Sequence, residues 1–126
     1  MYLGIDIGTS GVKAILLAED GTLAAQASAP LAVSRPHPSW SEQNPVDWLS
    51  ATEAAVLALP TALRAKVAAV GLAGQMHGAT LLDASDRVLR PAILWNDGRA
   101  FAQCTALEHA GPRLRAIAGR LKRRIC

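Results

Sequence analysis

The chain has 126 residues, 51% of them hydrophobic and 4% aromatic, which suits one compact domain and excludes a complete enzyme of two full-sized lobes. Its net charge of +3 is unevenly spread: residues 1–112 hold 7 Lys/Arg against 10 Asp/Glu, whereas 113–126 hold Arg113, Arg115, Arg120, Lys122, Arg123 and Arg124 and no acid. The basic balance therefore belongs to the C-terminal segment and says little about what the rest of the chain binds.

The first thirty residues predict a three-stranded meander. In Tyr2–Gly8, Leu3, Ile5 and Ile7 share one face while Gly4, Asp6 and Gly8 share the other, the period of a strand with one buried side. The loop Gly8-Thr9-Ser10-Gly11 leads into a strand over Val12–Leu17. Asp20-Gly21 is a strong hairpin signal, with Thr22–Ala29 returning antiparallel. Pro30–Pro45 is a Pro- and Ser-containing loop that includes Trp40-Ser41-Glu42-Gln43, expected to anchor the loop onto the sheet. A helix should follow, with Asn44 as N-cap, Pro45 in the first turn and Asp47 near the positive end. It should bury Trp48, Leu49, Thr52, Ala55, Val56 and Leu59 and stop at Pro60.

Val67–Ala73 is continuously apolar, the pattern of a strand covered on both faces and reached by a helical crossover. Its end delivers Gly74-Gln75-Met76-His77-Gly78. A further hairpin is expected over Ala79–Leu94, turning at Asp83–Asp86, then Trp95-Asn96-Asp97-Gly98-Arg99 and a helix over about 100–110 stopped by Gly111-Pro112. The opening residues lack the basic and apolar regions of a signal peptide, and no apolar run is long enough to cross a bilayer. Cys104 and Cys126 make no disulfide framework, and so few thiols suit a reducing cytosol. A cytoplasmic protein without membrane or nucleic-acid partners is expected. His37 and His109 have no ligand-spaced partner, so no zinc site is expected either.

Three stretches carry candidate chemistry, and each has a plainer alternative. Gly8-Thr9-Ser10-Gly11-Val12-Lys13 is phosphate-directed: glycines expose backbone N–H groups, two hydroxyls add donors and Lys13 adds charge. It is not a Walker loop, because it joins two strands instead of opening a helix; the alternative is an ordinary Gly-rich hairpin. Asp6 favours the first reading, since a carboxylate in an apolar strand is costly unless it meets a cation or donors, and Mg²⁺ carried by a nucleotide supplies one. His77 and Met76 follow the end of an apolar strand, where ligands sit in open α/β sheets; the alternative is a structural histidine. Trp95–Arg99 suits a polyol, or else forms a helix N-terminus with Asn96 or Asp97 as cap and Arg99 solvated. Leu114, Ile117, Leu121 and Ile125 with basic residues between them form a basic amphipathic pattern, more simply a solvated end.

Taken in order, Leu3–Lys13, Trp40–Gln43, Gly74–Ala79 and Ile93–Arg99 resemble the opening of the FGGY carbohydrate kinases, and Gln75–Ala79 is similar to the bacterial xylulokinase branch in particular. The resemblance covers about residues 1–108. It implies an α/β fold: the N-terminal part of an RNase H-like (actin-like ATPase) lobe, a mixed sheet with an antiparallel meander and flanking helices. It also implies ATP- and Mg²⁺-dependent phosphorylation of D-xylulose, or a related ketose, to the 5-phosphate. By that resemblance Asp6 stands on the Mg²⁺–ATP side, directly or through water; Gly8, Thr9, Ser10, Gly11 and Lys13 face the phosphates; Met76 and His77 bind the sugar. Members of the family also carry a carboxylate base and an adenine-binding second lobe, to which nothing in this sequence corresponds, and Asp97 does not match that base.

From about His109 the sequence departs from the pattern, so residues 1–112 are expected to be a partial kinase N-terminal domain. Residues 113–126 are then a basic tail left by truncation or a shifted reading frame. The chain alone is expected to be inactive and in need of a C-terminal lobe. The alternatives are a non-catalytic interaction module that uses the basic tail and one half of a split sugar kinase completed by a second chain.

Overall fold

The structure is a computed structural model that describes residues 1–109. The basic segment 113–126 and the Gly111-Pro112 helix stop lie outside the described residues.

Three strands form the expected meander: β1 (Tyr2–Ile7), β2 (Gly11–Leu17) and β3 (Leu23–Pro30), antiparallel throughout. Asp20-Gly21 makes the β2–β3 turn as its sequence requires. Gly21 takes the left-handed φ of 83° that a side chain would resist, and the Asp20 carboxylate accepts from the N–H and hydroxyl of Thr22.

The next short strand is β4 (Glu42–Gln43), followed by helix α1 (Pro45–Leu57), which begins as predicted. Asn44 accepts from the Val46 N–H, Pro45 opens the first turn and Asp47 sits near the positive end of the helix dipole. The buried stripe differs from the expected one. Leu49 is 73% exposed, and Ala51 takes its place beside Ala55, with Leu59 buried just beyond the helix end. The physical reason is close approach: with Ala at 51 and 55 the helix lies against β2 and β3, and a leucine on that line would hold it away. The core is Leu3 and Ile5 from β1, Val12, Ala14 and Leu16 from β2, Ala29 from β3, and Ala51, Ala55 and Leu59 facing them.

A short helix α2 (Thr61–Arg64) leads to β5 (Ala69–Gly74), which pairs with β1 in parallel, so the helical crossover is as expected. The sheet order is β3-β2-β1-β5, with β5 on its edge. The expectation that this strand is covered on both faces is overturned: every residue of β5 is exposed, Leu72 by 74% and Val70 by 56%. They share the face of Leu3 and Ile5, but α1 crosses β2 and β3, and among the described residues no helix lies over β5.

Beyond β5, the hairpin reading holds at a Leu82–Val88 bridge, where Asp83 accepts from the N–H groups of Ser85 and Arg87. The return continues it: Leu89 N–H donates to the Leu81 carbonyl at 2.9 Å and Ala79 bridges Ile93 antiparallel. Strand β6 (Ala92–Ile93) pairs on its other side with β4, so Glu42–Gln43, expected only as a loop anchor, is half of a second small sheet. Helix α3 (Phe101–His109) follows close to its expected start.

Candidate functional site

The parallel pairing of β1 with β5 sets Ile7 beside Gly74, and Gln75 N–H continues the ladder onto the Ile7 carbonyl at 2.9 Å. The turn after β1 and the turn after β5 therefore leave the same end of the sheet side by side, the position at which open α/β sheets hold ligands.

The Gly8–Gly11 turn is tight, with Gly8 N–H donating to the Gly11 carbonyl at 3.0 Å. Gly11 has no room for a side chain: a Cβ there would stand 2.7 Å from the Ala29 carbonyl oxygen. Ser10 is exposed, and its carbonyl accepts from Leu31 N–H. Asp6 and Lys13 are directly opposed on β1 and β2 and so share the face turned away from α1. Together with Gly4, Ile15 and Gly71 they line a shallow depression of about 330 Å³. Lys13 also borders a second depression of about 400 Å³ with Ser10, Gly11 and Ser28. Asp6 is exposed, which corrects the premise that its burial demands a compensating cation: the strand is apolar on its other face only.

Met76 is 72% exposed. His77 is exposed too, and its backbone is left-handed, with φ of 63°, uncommon for a residue with a Cβ. These two side chains project from the turn beside the glycine loop.

A hydrogen-bond network joins the two turns. Thr9 Oγ1 donates to Gln75 Oε1 at 3.0 Å. Gln75 Nε2 donates to Gln43 Oε1 at 3.0 Å, and the Trp48 indole donates to the same oxygen at 2.9 Å. Gln43 Nε2 donates to the carbonyls of Thr9 at 2.7 Å and Ala32 at 3.1 Å. The Trp95 indole donates to Thr9 Oγ1 at 3.1 Å. Gln43 and Gln75 lie inside the recognised motifs, but no local pattern assigns either a role. The available signal was the position of Gln43 between a Trp-Ser-Glu run and a helix cap, where a buried amide has to find partners.

Trp95–Arg99 is neither a free polyol set nor the cap of α3. The Asp97 carboxylate accepts from Arg99 Nε at 2.8 Å, from Arg99 NH2 at 2.6 Å and from the backbone N–H groups of Ser41 and Arg99. The Arg99 side chain, expected to be solvated, is only 16% exposed. It also meets Glu42 at 2.8 Å and lies over the Trp40 ring, 3.7 Å from its centroid. The Arg99 guanidinium holds the Asp97 carboxyl down at about 2, helped by the Ser41 N–H, and the two acids raise Arg99 further above its already high value. This cluster ties 39–43 to 94–99, leaving Asp97 no capacity to act as a base. α3 starts at Phe101, past Asn96 and Asp97.

Among the described residues, no three His, Cys, Asp or Glu side chains gather closely enough to hold a metal ion, and no helix is long and apolar enough to cross a membrane. A lone exposed carboxylate beside a glycine turn still fits Mg²⁺, which takes one or two carboxylates and draws its remaining ligands from phosphates and water.

The sequence matches the family model described as FGGY family of carbohydrate kinases, N-terminal domain, over residues 1–123. It is 59% identical to the xylulose kinase of Escherichia coli (strain K12) over 122 residues, 96% of this chain and 25% of that protein. With the xylulose kinase of Klebsiella pneumoniae it is 58% identical, again over 96% of this chain and 25% of the other. A crystal structure described as a xyloylose kinase from Brucella ovis superposes with a TM-score of 0.84 and 53% identity, covering 92% of this chain and 25% of that one. The chain thus spans about a quarter of the length of the relatives it matches. Its mixed sheet, with an antiparallel meander, a parallel edge strand and a helix across one face, is the α/β architecture of those kinases, and the chain belongs to the FGGY family of carbohydrate kinases, as part of its N-terminal domain.

Proposed function

We propose that the chain supplies the sugar- and phosphate-facing quarter of a cytoplasmic xylulokinase, whose reaction is ATP-dependent phosphorylation of D-xylulose to D-xylulose 5-phosphate. The observation that carries this is the convergence of the Gly8–Gly11 and Gln75–Gly78 turns at the same end of β1 and β5, on a chain 59% identical to a xylulose kinase.

Met76 and His77 bind and orient the sugar hydroxyls. Thr9, Ser10 and Gly11 present backbone amides, Ser10 its hydroxyl and Lys13 its charge to the phosphates, while Gly8, whose N–H is bound to the Gly11 carbonyl, shapes the turn. Asp6 stands on the Mg²⁺ side, directly or through a water. When bound, Mg²⁺ neutralises charge on the phosphate oxygens. Phosphoryl transfer depends on positioning and charge stabilisation, and this chain contributes to both. With Asp97 engaged by Arg99 and Asp6 committed to the Mg²⁺ side, the described site leaves no carboxylate to take the proton from the attacking hydroxyl, so the chain on its own binds without turnover.

A coupled ADP-release assay with D-xylulose, ATP and Mg²⁺ tests the reading, run on the purified chain alone and with the remaining portion of a xylulose kinase added. Activity is expected only in the mixture, and Asp6→Asn abolishes it. Turnover by the chain alone, lost in Asp6→Asn, overturns the claim that the base lies elsewhere. A folded chain that stays silent in both and binds neither ligand overturns the whole reading.

A further inference from the structure

The network between the two turns has only one possible polarity. An indole N–H only donates and a backbone carbonyl only accepts. The Trp48 indole therefore requires Oε1 of Gln43 on its side, and the carbonyls of Thr9 and Ala32 require Nε2 on theirs. That orientation obliges Gln75 to turn its Nε2 to Gln43, which leaves Gln75 Oε1 to accept from the Thr9 hydroxyl. The hydroxyl has one proton, and it is spent there. A lone pair of the same oxygen takes the Trp95 indole N–H. Gln43 is 2% exposed, so these bonds do not compete with bulk water at that end.

We infer that Gln43, Gln75 and the Thr9 side chain are positioning residues: a one-directional hydrogen-bond relay that sets the phosphate loop against the Met76–His77 turn. In it the Thr9 hydroxyl serves as the latch, and the amides of Thr9 to Gly11 and the Ser10 side chain are left to the phosphates. The inference rests on the reading of those two turns given under Proposed function. Its consequence is that a change at either end is felt at the other, through Gln75 and Thr9, without movement of the β-sheet.

The test uses the indole N–H signals of Trp40, Trp48 and Trp95 in the ¹⁵N-labelled chain. Thr9→Val keeps the shape of the side chain and removes the hydroxyl. The Trp95 indole signal should shift and exchange with solvent about fivefold faster, the scale of one net hydrogen bond. The Trp48 signal should move as well, because Gln75 has lost its anchor, while Trp40 stays in place as the sign of an intact fold. Thr9→Ser restores both signals. Gln75→Glu, which sets an acceptor against Gln43 Oε1, should also move Trp95 and Trp48 together; should that variant not fold, the Thr9 pair decides. A Thr9→Val spectrum in which Trp95 alone responds, or in which Thr9→Ser fails to restore it, overturns the relay.

A D-xylulose titration separates this result from the functional reading. Shifts at the Met76 and His77 amides accompanied by Trp95 in the parent, but not in Thr9→Val, support the relay. Shifts confined to Met76 and His77 overturn it and leave the kinase reading standing. Absence of any sugar response counts against the kinase reading, and the ligand-free comparison still decides the relay.

Discussion

The meander with α1 and the small β4–β6 sheet with its 94–99 extension are held together by different forces. In the first, Val12, Ala14, Leu16, Ala51 and Ala55 meet across a buried apolar interface. In the second, Arg99 bridges Glu42 and Asp97 while stacked over the Trp40 ring, and Asp97 also gathers two backbone N–H groups. The first is non-directional and tolerates any apolar side chain of the right volume; the second depends on charge state and on each partner being present. One short chain thus divides into a half that responds to denaturant and lost volume and a half that responds to protons.

The largest expected break in that comparison is Leu16→Ala. The side chain is fully buried, and its loss costs about 3 kcal/mol, read as a fall in the urea midpoint. Leu72→Ala on the exposed edge strand, by contrast, leaves the midpoint within about 0.5 kcal/mol of the parent.

Acid probes the other half. The Asp97 carboxyl sits at about 2 in the folded chain against an ordinary 3.8. The unfolded chain therefore takes up the proton first as pH falls. The stability from this group is fully present above about pH 4, declines below that and is gone as pH passes about 2, on the order of 2 kcal/mol in all. Thermal midpoints measured from pH 6 to pH 2 should show that loss, and Asp97→Asn should remove it from the profile while lowering stability at neutral pH. A profile unchanged by Asp97→Asn sinks the assignment.

Gly11→Ala and Gly71→Ala sharpen the contrast at the level of one methyl. At Gly11 the added carbon meets the Ala29 carbonyl oxygen at 2.7 Å, and at Gly71 nothing lies within 4 Å. The first should cost about 1–2 kcal/mol, the second close to nothing, by paired urea titrations. The smallest effect is expected at Ser41, whose buried hydroxyl has no hydrogen-bond partner among the described residues. Ser41→Ala should leave stability unchanged or raise it by up to about 1 kcal/mol, and a loss larger than that would mean the hydroxyl has a partner after all.

What the sequence made legible follows the same division. The meander, the Asp20-Gly21 turn and the α1 start came from local rules of period, turn chemistry and capping, and the structure has them. The position of Met76 and His77 at a strand end was legible too, whereas the meeting of their turn with the glycine turn depends on the parallel pairing of β1 with β5. The cover over β5 was misread because an apolar run records what a strand can bury, whereas α1's path over β2 and β3 decides what it does bury. Arg99 was misread for a related reason: its Asp97 partner lies two residues away, but Glu42 and Trp40, which complete its enclosure, lie far away along the sequence, and no local pattern announces contacts of that separation. The roles of Gln43 and Gln75 exist only in the hydrogen-bond geometry between distant segments.

The three tryptophans have an optical consequence. Trp40 lies under a guanidinium with the His37 ring edge-on to it, Trp48 donates to the buried Gln43, and Trp95 is 46% exposed over the glycine turn. Each emits from a different setting, and Trp95 is the one most open to a collisional quencher such as iodide. A ligand that settles on the Gly8–Gly11 turn shields that ring, so the unlabelled chain reports occupancy of this turn as a loss of iodide quenching.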